Sequence, residues 1–250
     1  MFRSRASRRY SLYHHRSRGR RRLRLLRFVI LLFLVYQIIN SLLLTSYRID
    51  SSSMSPTLAV SERVLASPVG YGARIPLLPW TTPVLREPQR GDIVVIASPS
   101  HQPPATLLRL TDPLVRFFTL NRVSPVAMSG AGWDNPYIVK RIVGLPGDTL
   151  QMRGSVARVT PAGSAQSTSE HALSTVRYNL DLLDVPAAAG ALFFTHSEPL
   201  TLGQGEYFVL GDNRTASIDS RHFGPVTRDR LRQRVVLRFW PLQRLGVTGN

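Results

Sequence analysis

The chain has 250 residues, is 43% hydrophobic and carries a formal charge of +17, which is apolar material for one substantial core or two small ones. It contains no cysteine, which excludes thiol catalysis, disulfides and cysteine-ligated zinc while leaving the compartment open. The charge is unevenly spread: residues 1–27 hold eleven arginines and no acid, which leaves +6 for everything after them.

The first expected element is a helix across a membrane. Residues 28–44 read FVILLFLVYQIINSLLL, seventeen positions without a charge. As a helix they span about 25 Å, and Leu25, Leu26 and Tyr47 bring the length near the ~30 Å hydrocarbon core. A basic tail alone could bind nucleic acid through phosphate contacts. Positive charge beside an apolar run instead marks the cytoplasmic flank of a span. A buried core helix would rarely follow eleven arginines. Thr45-Ser46-Tyr47-Arg48 offers no small-x-small cleavage site, so the run reads as an uncleaved signal anchor. The expected organisation is a cytoplasmic tail over 1–27, one transmembrane helix over 28–47 and an extracytoplasmic domain over 48–250. That is a single pass through the cytoplasmic (inner) membrane with the N-terminus inside.

After the anchor, short apolar runs alternate with Gly, Pro and Asp, which predicts a mainly β fold: an antiparallel β-sheet domain with long loops. Strands are expected at Arg63–Ala66, Asp92–Ala97, Tyr137–Val143, Thr149–Arg153, Glu206–Leu210 and Arg234–Phe239. Thr106–Met128 is apolar, but Arg109, Asp112, Arg116 and Arg122 interrupt it; it reads as an inserted surface segment able to touch lipid headgroups. Thr160–Ser174 is rich in Ser, Ala and Thr and reads as a flexible excursion. Inserted loops are expected over about 98–135 and 154–199.

The chemistry begins with one residue. Of 32 basic side chains 31 are arginine, and the other is Lys140. Arginine does not release its proton in a protein, whereas a desolvated lysine becomes a neutral amine. A lysine acting as base near pH 7 must have its acidity raised about a thousandfold, roughly 4 kcal/mol of differential interaction. The flanks Tyr137-Ile138-Val139 and Ile142-Val143 supply an apolar setting, and Arg141 would add to it if its charge points nearby. A lone lysine on a strand is equally well read as composition noise.

Two polar clusters add to it. Ser51-Ser52-Ser53-Met54-Ser55-Pro56 lies just past the anchor, and by itself reads as a linker or turn. Tyr207–Leu210 runs into a Gly-Asp-Asn turn, after which Asp212, Arg214, Asp219 and Arg221 could form ion pairs that hold a site rigid.

Taken together these blocks resemble the bacterial type I signal peptidases, Ser-Lys proteases that remove signal peptides from exported proteins and share a fold with the self-cleaving repressors. The resemblance rests on S-x-S-M-x-P-T-L at Ser51–Leu58, R-G-D-I-V-V at Arg90–Val95, K-R-I-V-G-L-P-G-D at Lys140–Asp148 and G-D-N-R-x-x-S-x-D-S-R at Gly211–Arg221, followed by Gly224. It implies Ser53 as nucleophile, Lys140 as general base and Ser51 as a side-chain donor to the oxyanion hole beside the Ser53 N–H. It further implies Ser217 as the group that orients the lysine, Asp219 and Arg221 as buttresses, and Gly211 and Asn213 as architecture. Met54 and Ile138 are expected to line shallow pockets for small substrate residues. The partners implied are secretory preproteins and membrane lipid, with no nucleic acid, metal or cofactor. One departure stands out: Ser61-Glu62 occupies a place where the family often has Gly-Asp, which is expected to alter a turn rather than the chemistry.

Rival readings remain. A Ser-His-Asp triad would need a histidine outside the tail (His101, His171, His196 or His222), and only His222 adjoins a polar block. The self-cleaving repressors carry a DNA-binding head where this chain has its apolar run. Arg90-Gly91-Asp92 allows an adhesion motif, although it also suits the turn into the next strand. An inactive membrane scaffold would be expected to have lost Ser53 or Lys140, and both are present.

Overall fold

The computed structural model describes residues 6–39, 43–69, 71–72, 86–99, 106–119, 122–128, 136–174 and 198–248. Parts of both expected insertions, including 175–197, lie outside them, as does the very start of the tail.

Helix α1 (Ala6–Ile38) runs the arginine-rich tail straight into the apolar segment. Leu25, Phe28, Leu31, Leu34 and Ile38 on it are all exposed. Among the described residues no helix is long and apolar enough to cross a membrane; the apolar run continues through 40–42, which lie outside those residues. The expected end of the span at Tyr47 needs correction. Thr45–Arg48 is strand β1, antiparallel to β2 (Arg63–Ser67), with Tyr47 opposite Val64. Alternation explains the switch. Thr45 is buried and Tyr47 packs on the core, while Ser46 and Arg48 point the other way, a period of two that suits a half-covered strand and not a span.

The domain is built on β3 (Ile93–Ala97), β4 (Tyr137–Gly144), β5 (Thr149–Arg153), β6 (Val156–Thr160), β7 (Thr168–Ser169), β8 (Leu200–Thr201), β9 (Glu206–Leu210), β10 (Val226–Thr227), β11 (Leu231–Trp240) and β12 (Gly246–Val247). The larger sheet runs β1-β2-β11-β3-β4-β9-β10 with β12 paired to β11, and the smaller runs β7-β6-β5-β8. Every pairing is antiparallel, so the mainly β expectation holds. Strand β3 shows why the core sits where it does. Its run Ile93-Val94-Val95-Ile96 is buried on both faces: Ile93 and Val95 join a cluster with Met54, Leu58 and Val64, and Val94 and Ile96 one with Ile142, Tyr207 and Val209. A β-branched run of this kind fits a strand covered on both sides.

Two expected loops contain structure. Within 106–128 lie α2 (Thr106–Phe118) and the turn of helix α3 (Pro125–Met128). Within Thr160–Ser174, expected to be a flexible excursion, Thr168–Ser169 pairs with β6 and Glu170–Leu173 forms a helical turn. The Glu170 carboxylate is fully buried against Arg214, with Nη1–Oε1 and Nη2–Oε2 contacts of 2.7 and 2.6 Å. Composition marked this stretch as solvated; a buried ion pair overrides it.

The Arg90-Gly91-Asp92 turn turns its charges inward. Arg90 binds Val143 O and Asp148, and Asp92 accepts from the Tyr71 hydroxyl and pairs with Arg234. This favours the structural turn over an adhesion motif. The Ser61-Glu62 departure also has a local consequence. Ser61 has φ +72°, a left-handed conformation that costs an L-residue about 1–2 kcal/mol, partly offset by the extra chain entropy a glycine would lose. Ser61→Gly is therefore expected to stabilise the domain by about 0.5 kcal/mol in urea unfolding; a loss of stability would show that the Arg48–Ser61 side-chain bond matters more than the backbone.

Candidate active site

The serine segment reaches the sheet through a single turn. Ser52–Met54 is a 3₁₀ turn in which Ser53 and Met54 are buried. Met54 is sequestered in the core between Leu58 and Val64, so its neighbour Ser53 is held at a fixed place against β4. Asn213 N–H donates to Ser53 O at 3.1 Å, which ties the serine turn to the end of β9. Next in the chain to Leu210, Gly211 makes this approach possible: a Cβ there would overlap Ser217 Oγ and Cβ and the Ser53 carbonyl oxygen. Because the last of these is backbone and cannot swing away, Gly211→Ala is expected to displace Ser53 or Ser217. A misplacement near 1 Å lowers turnover by about 10²-fold, to be read as kcat at saturating substrate; unchanged kcat would show that the two segments tolerate separation.

Strand alternation decides where β4 sends its two cations. Lys140 lies opposite Val94 and Arg141 opposite Ile93, so they leave on opposite faces. Lys140 is buried and its Nζ donates to Ser53 Oγ at 2.9 Å. Its pKa is lowered from 10.5 to about 8, chiefly by burial, with the Arg221 guanidinium adding to the drop while Asp219 and Asp212 oppose it. The cation that assists is thus Arg221, not the adjoining Arg141. Arg141 instead forms a buried two-bond pair with Asp212 at 2.8 and 2.6 Å and donates to Gly91 O at 2.8 Å, so it braces the back of the strand that carries Lys140.

Ser51 Oγ lies 3.1 Å from Ser53 Oγ. Asp219 is gripped by Arg221 (Nε–Oδ1 2.7 Å, Nη2–Oδ2 3.0 Å) and by the Gly211 N–H at 3.0 Å. Those bonds hold its carboxyl below the usual range although burial pushes the other way. Arg214, expected within the same cluster, reaches away to Glu170, a partner 44 positions off that nothing in the sequence pattern marks. Ser217 Oγ is buried without a hydrogen bond of good geometry, although its dipole helps keep Asp219 ionised. The expected bond from Ser217 to the lysine is therefore not made in this arrangement. Asn213 Oδ1 accepts from Thr215 N, Thr215 Oγ1 and Ala216 N, folding the loop that brings Ala216–Ile218 to the site. His222 closes a capping box by accepting from the Asp219 N–H at 3.4 Å.

A cleft of about 320 Å³ opens over Ser51, Ser53 and Lys140, and Met54, Ile138, Val139 and Ile218 contribute apolar wall. An extended peptide could lie in it beside the hydroxyl. Among the described residues no group of His, Asp and Glu could hold a metal ion. What these groups offer chemically is a hydroxyl bonded to an amine that is easily deprotonated, with further hydroxyl and backbone donors close by.

The model of the family "Signal peptidase, peptidase S26" matches residues 22–240. A probable signal peptidase I-2 of Synechocystis is 29% identical over 199 residues, 80% of this chain and 64% of that protein. Signal peptidase I of Leptolyngbya laminosa is 29% identical over 202 residues, covering 80% and 71% of the two chains. Signal peptidase IB of Staphylococcus aureus is 26% identical over 223 residues, covering 87% and 89%. The match thus spans less than two thirds of the first of these relatives and most of the last. With all four sequence blocks inside the matched region, the chain belongs to the signal peptidase family, peptidase S26.

Proposed function

We propose that this protein is a membrane-bound serine endopeptidase that removes N-terminal signal peptides from exported preproteins through a Ser53–Lys140 dyad. The observation that carries the reading is the 2.9 Å contact between a buried lysine amine and a serine hydroxyl at the floor of the cleft. With the amine neutral, that contact runs the other way. Lys140 Nζ takes the Ser53 proton as Oγ attacks the carbonyl of the last residue of the signal peptide. The developing oxyanion is met by the Ser53 N–H and the Ser51 hydroxyl, each such donor contributing about 3 kcal/mol. The Lys140 ammonium then gives its proton to the departing amine. A water attacks the acyl ester with the neutral lysine as base, releasing the signal peptide and restoring Ser53. Ser217 serves as the partner Nζ turns to once the Ser53 bond is broken; apart from its influence on Asp219, its buried hydroxyl makes no hydrogen bond of good geometry. Asp219 and Arg221 hold the loop that carries it.

Residues 28–44 act in this reading as a membrane anchor with the arginine tail in the cytoplasm. Support comes from the exposed apolar surface of α1 and from the short tether: Ser53 lies nine residues beyond Leu44, at most ~30 Å from the bilayer even if extended. That proximity suits a substrate that is itself held in the membrane.

The test is cleavage by the purified full chain of a preprotein with an Ala-x-Ala site, followed by N-terminal sequencing of the product. Cleavage after the second alanine that is lost in Ser53→Ala supports the proposal. Wild-type protein that leaves the preprotein intact in detergent and in vesicles removes it.

A further inference from the structure

Helix α2 is polarised in the opposite sense to a helix that packs on a soluble domain. At 3.6 residues per turn, Leu107, Leu114 and Phe118 fall within about 40° of one another on its surface. All three are exposed, Leu107 and Phe118 each at 72%. The polar side is the one that is used internally. Asp112 pairs with Arg116 at 2.9 Å, and the Ser124 hydroxyl, just before α3, accepts from Arg116 and donates to Asp112. Met128 of α3, beside it, is likewise exposed. A water-facing helix places its apolar stripe inward, and a continuous exposed apolar surface of this kind marks a contact.

Two observations identify what covers it. Phe117, next to Phe118 in the chain, packs edge-on against Phe33 and Tyr36 of α1 with ring centroids at 5.3 Å, so α2 lies directly alongside α1, whose apolar surface is itself exposed. Arg122 is also exposed at the α2–α3 corner, where its charge suits lipid phosphate. We infer that α2 and α3 form a second membrane-seated element, lying in the bilayer interface against α1 with Leu107, Leu114, Phe118 and Met128 among the acyl chains. The element also lies near the cleft: the Arg116 charge is within electrostatic reach of Tyr47, whose ring sits edge-on to Tyr137 of the cleft wall. Seating α2 therefore fixes the height of the cleft above the membrane at a second point.

This inference rests on reading α1 as an anchor, and the experiment separates the two. The absence of cysteine allows a single nitroxide to be attached to the full chain at Leu114→Cys, Phe118→Cys, Leu34→Cys or Arg153→Cys, all exposed positions. In phosphatidylcholine–phosphatidylglycerol vesicles, labels at 114 and 118 are expected to be relaxed by oxygen and shielded from a water-soluble nickel chelate. Their ratio of oxygen to nickel accessibility should exceed that at 153 several-fold. Shielding at 34 with water access at 114 and 118 would overturn the inference and leave the anchor. Water access at 34 as well would remove both. A second copy on the stripe would protect 114 and 118 from both reagents and give spin–spin broadening that grows with protein-to-lipid ratio, and this too overturns the assignment to lipid.

Discussion

Lys140→Met and Lys140→Arg are each expected to lower preprotein cleavage by about 10³-fold, the middle of the range that a positioned general base contributes. The arginine variant is the sharper test, because it keeps the charge and the donor while removing only the ability to become neutral. In the wild type, kcat/KM should rise about tenfold per pH unit up to a midpoint set by Lys140 in the free enzyme and then level off; that midpoint is expected near 8. At pH 7 about one molecule in ten then carries the neutral amine. An acid limb that disappears in His222→Ala would assign the proton to histidine instead. The structure gives little support for that outcome, since His222 Nδ1 accepts a backbone N–H at the start of its helical turn.

A stability measurement distinguishes a base from a structural lysine. Burial lowers the Lys140 pKa from 10.5 to about 8, so the unfolded chain holds this proton more tightly than the folded one. Between pH 8 and 10.5 the unfolded state binds more protons, and the folded state gains stability as pH rises through that window. Below 8 the penalty is fully present, about 3 kcal/mol. Lys140→Met removes it and loses the bond to Ser53, worth about 1 kcal/mol, for a net gain of about 2 kcal/mol at pH 7. Above pH 10.5 the gain vanishes. A variant both inactive and more stable at neutral pH is the signature of a residue kept for chemistry; if Lys140→Met unfolds at lower urea than wild type at pH 7, the amine is a structural tie.

The parts of the fold legible in the sequence were those specified locally. All six expected strands are present, because each is an apolar or alternating run long enough to bury one or both faces. Strand β1 was hidden because Thr45–Arg48 directly follows the apolar run and its partner, β2, lies some twenty residues further on. At the site, Ser53 and Lys140 were marked by motif and by the solitary lysine, and their separation of 2.9 Å meets the geometric demand of a dyad. Arg141 could help only if its charge pointed toward Lys140, and it does not. Adjacent residues on a strand point to opposite faces, so Arg141 could not share the pocket of Lys140; the assisting charge had to come from another segment, and Arg221 supplies it. Ionic partners distant in sequence, such as Glu170 for Arg214, follow from tertiary packing alone and leave no periodic trace.

That pair carries the second large expected effect. Arg214 donates through Nε to Gly211 O, through Nη1 to Ser155 O and Glu170 Oε1, and through Nη2 to Glu170 Oε2. Glu170 Oε1 also accepts the Ala157 N–H at 2.9 Å. One guanidinium thus bolts the turn after β9, which holds Asn213 and Ser217, to the β5–β6 hairpin. Both side chains are essentially without solvent exposure, so Glu170→Ala strands a buried cation and is expected to cost about 3–5 kcal/mol. For a domain of this size that corresponds to a fall in Tm of about 10 °C. The double variant Glu170→Leu/Arg214→Leu should recover part of the loss, since apolar residues of similar volume replace a buried pair at little cost. Cleavage by that double variant should nevertheless stay low, because Gly211 O loses its donor and the turn beside Ser53 loses its brace. A change below about 1 kcal/mol in Glu170→Ala, the range of an exposed ion pair, would mean that Thr160–Ser174 is the solvated excursion its composition describes.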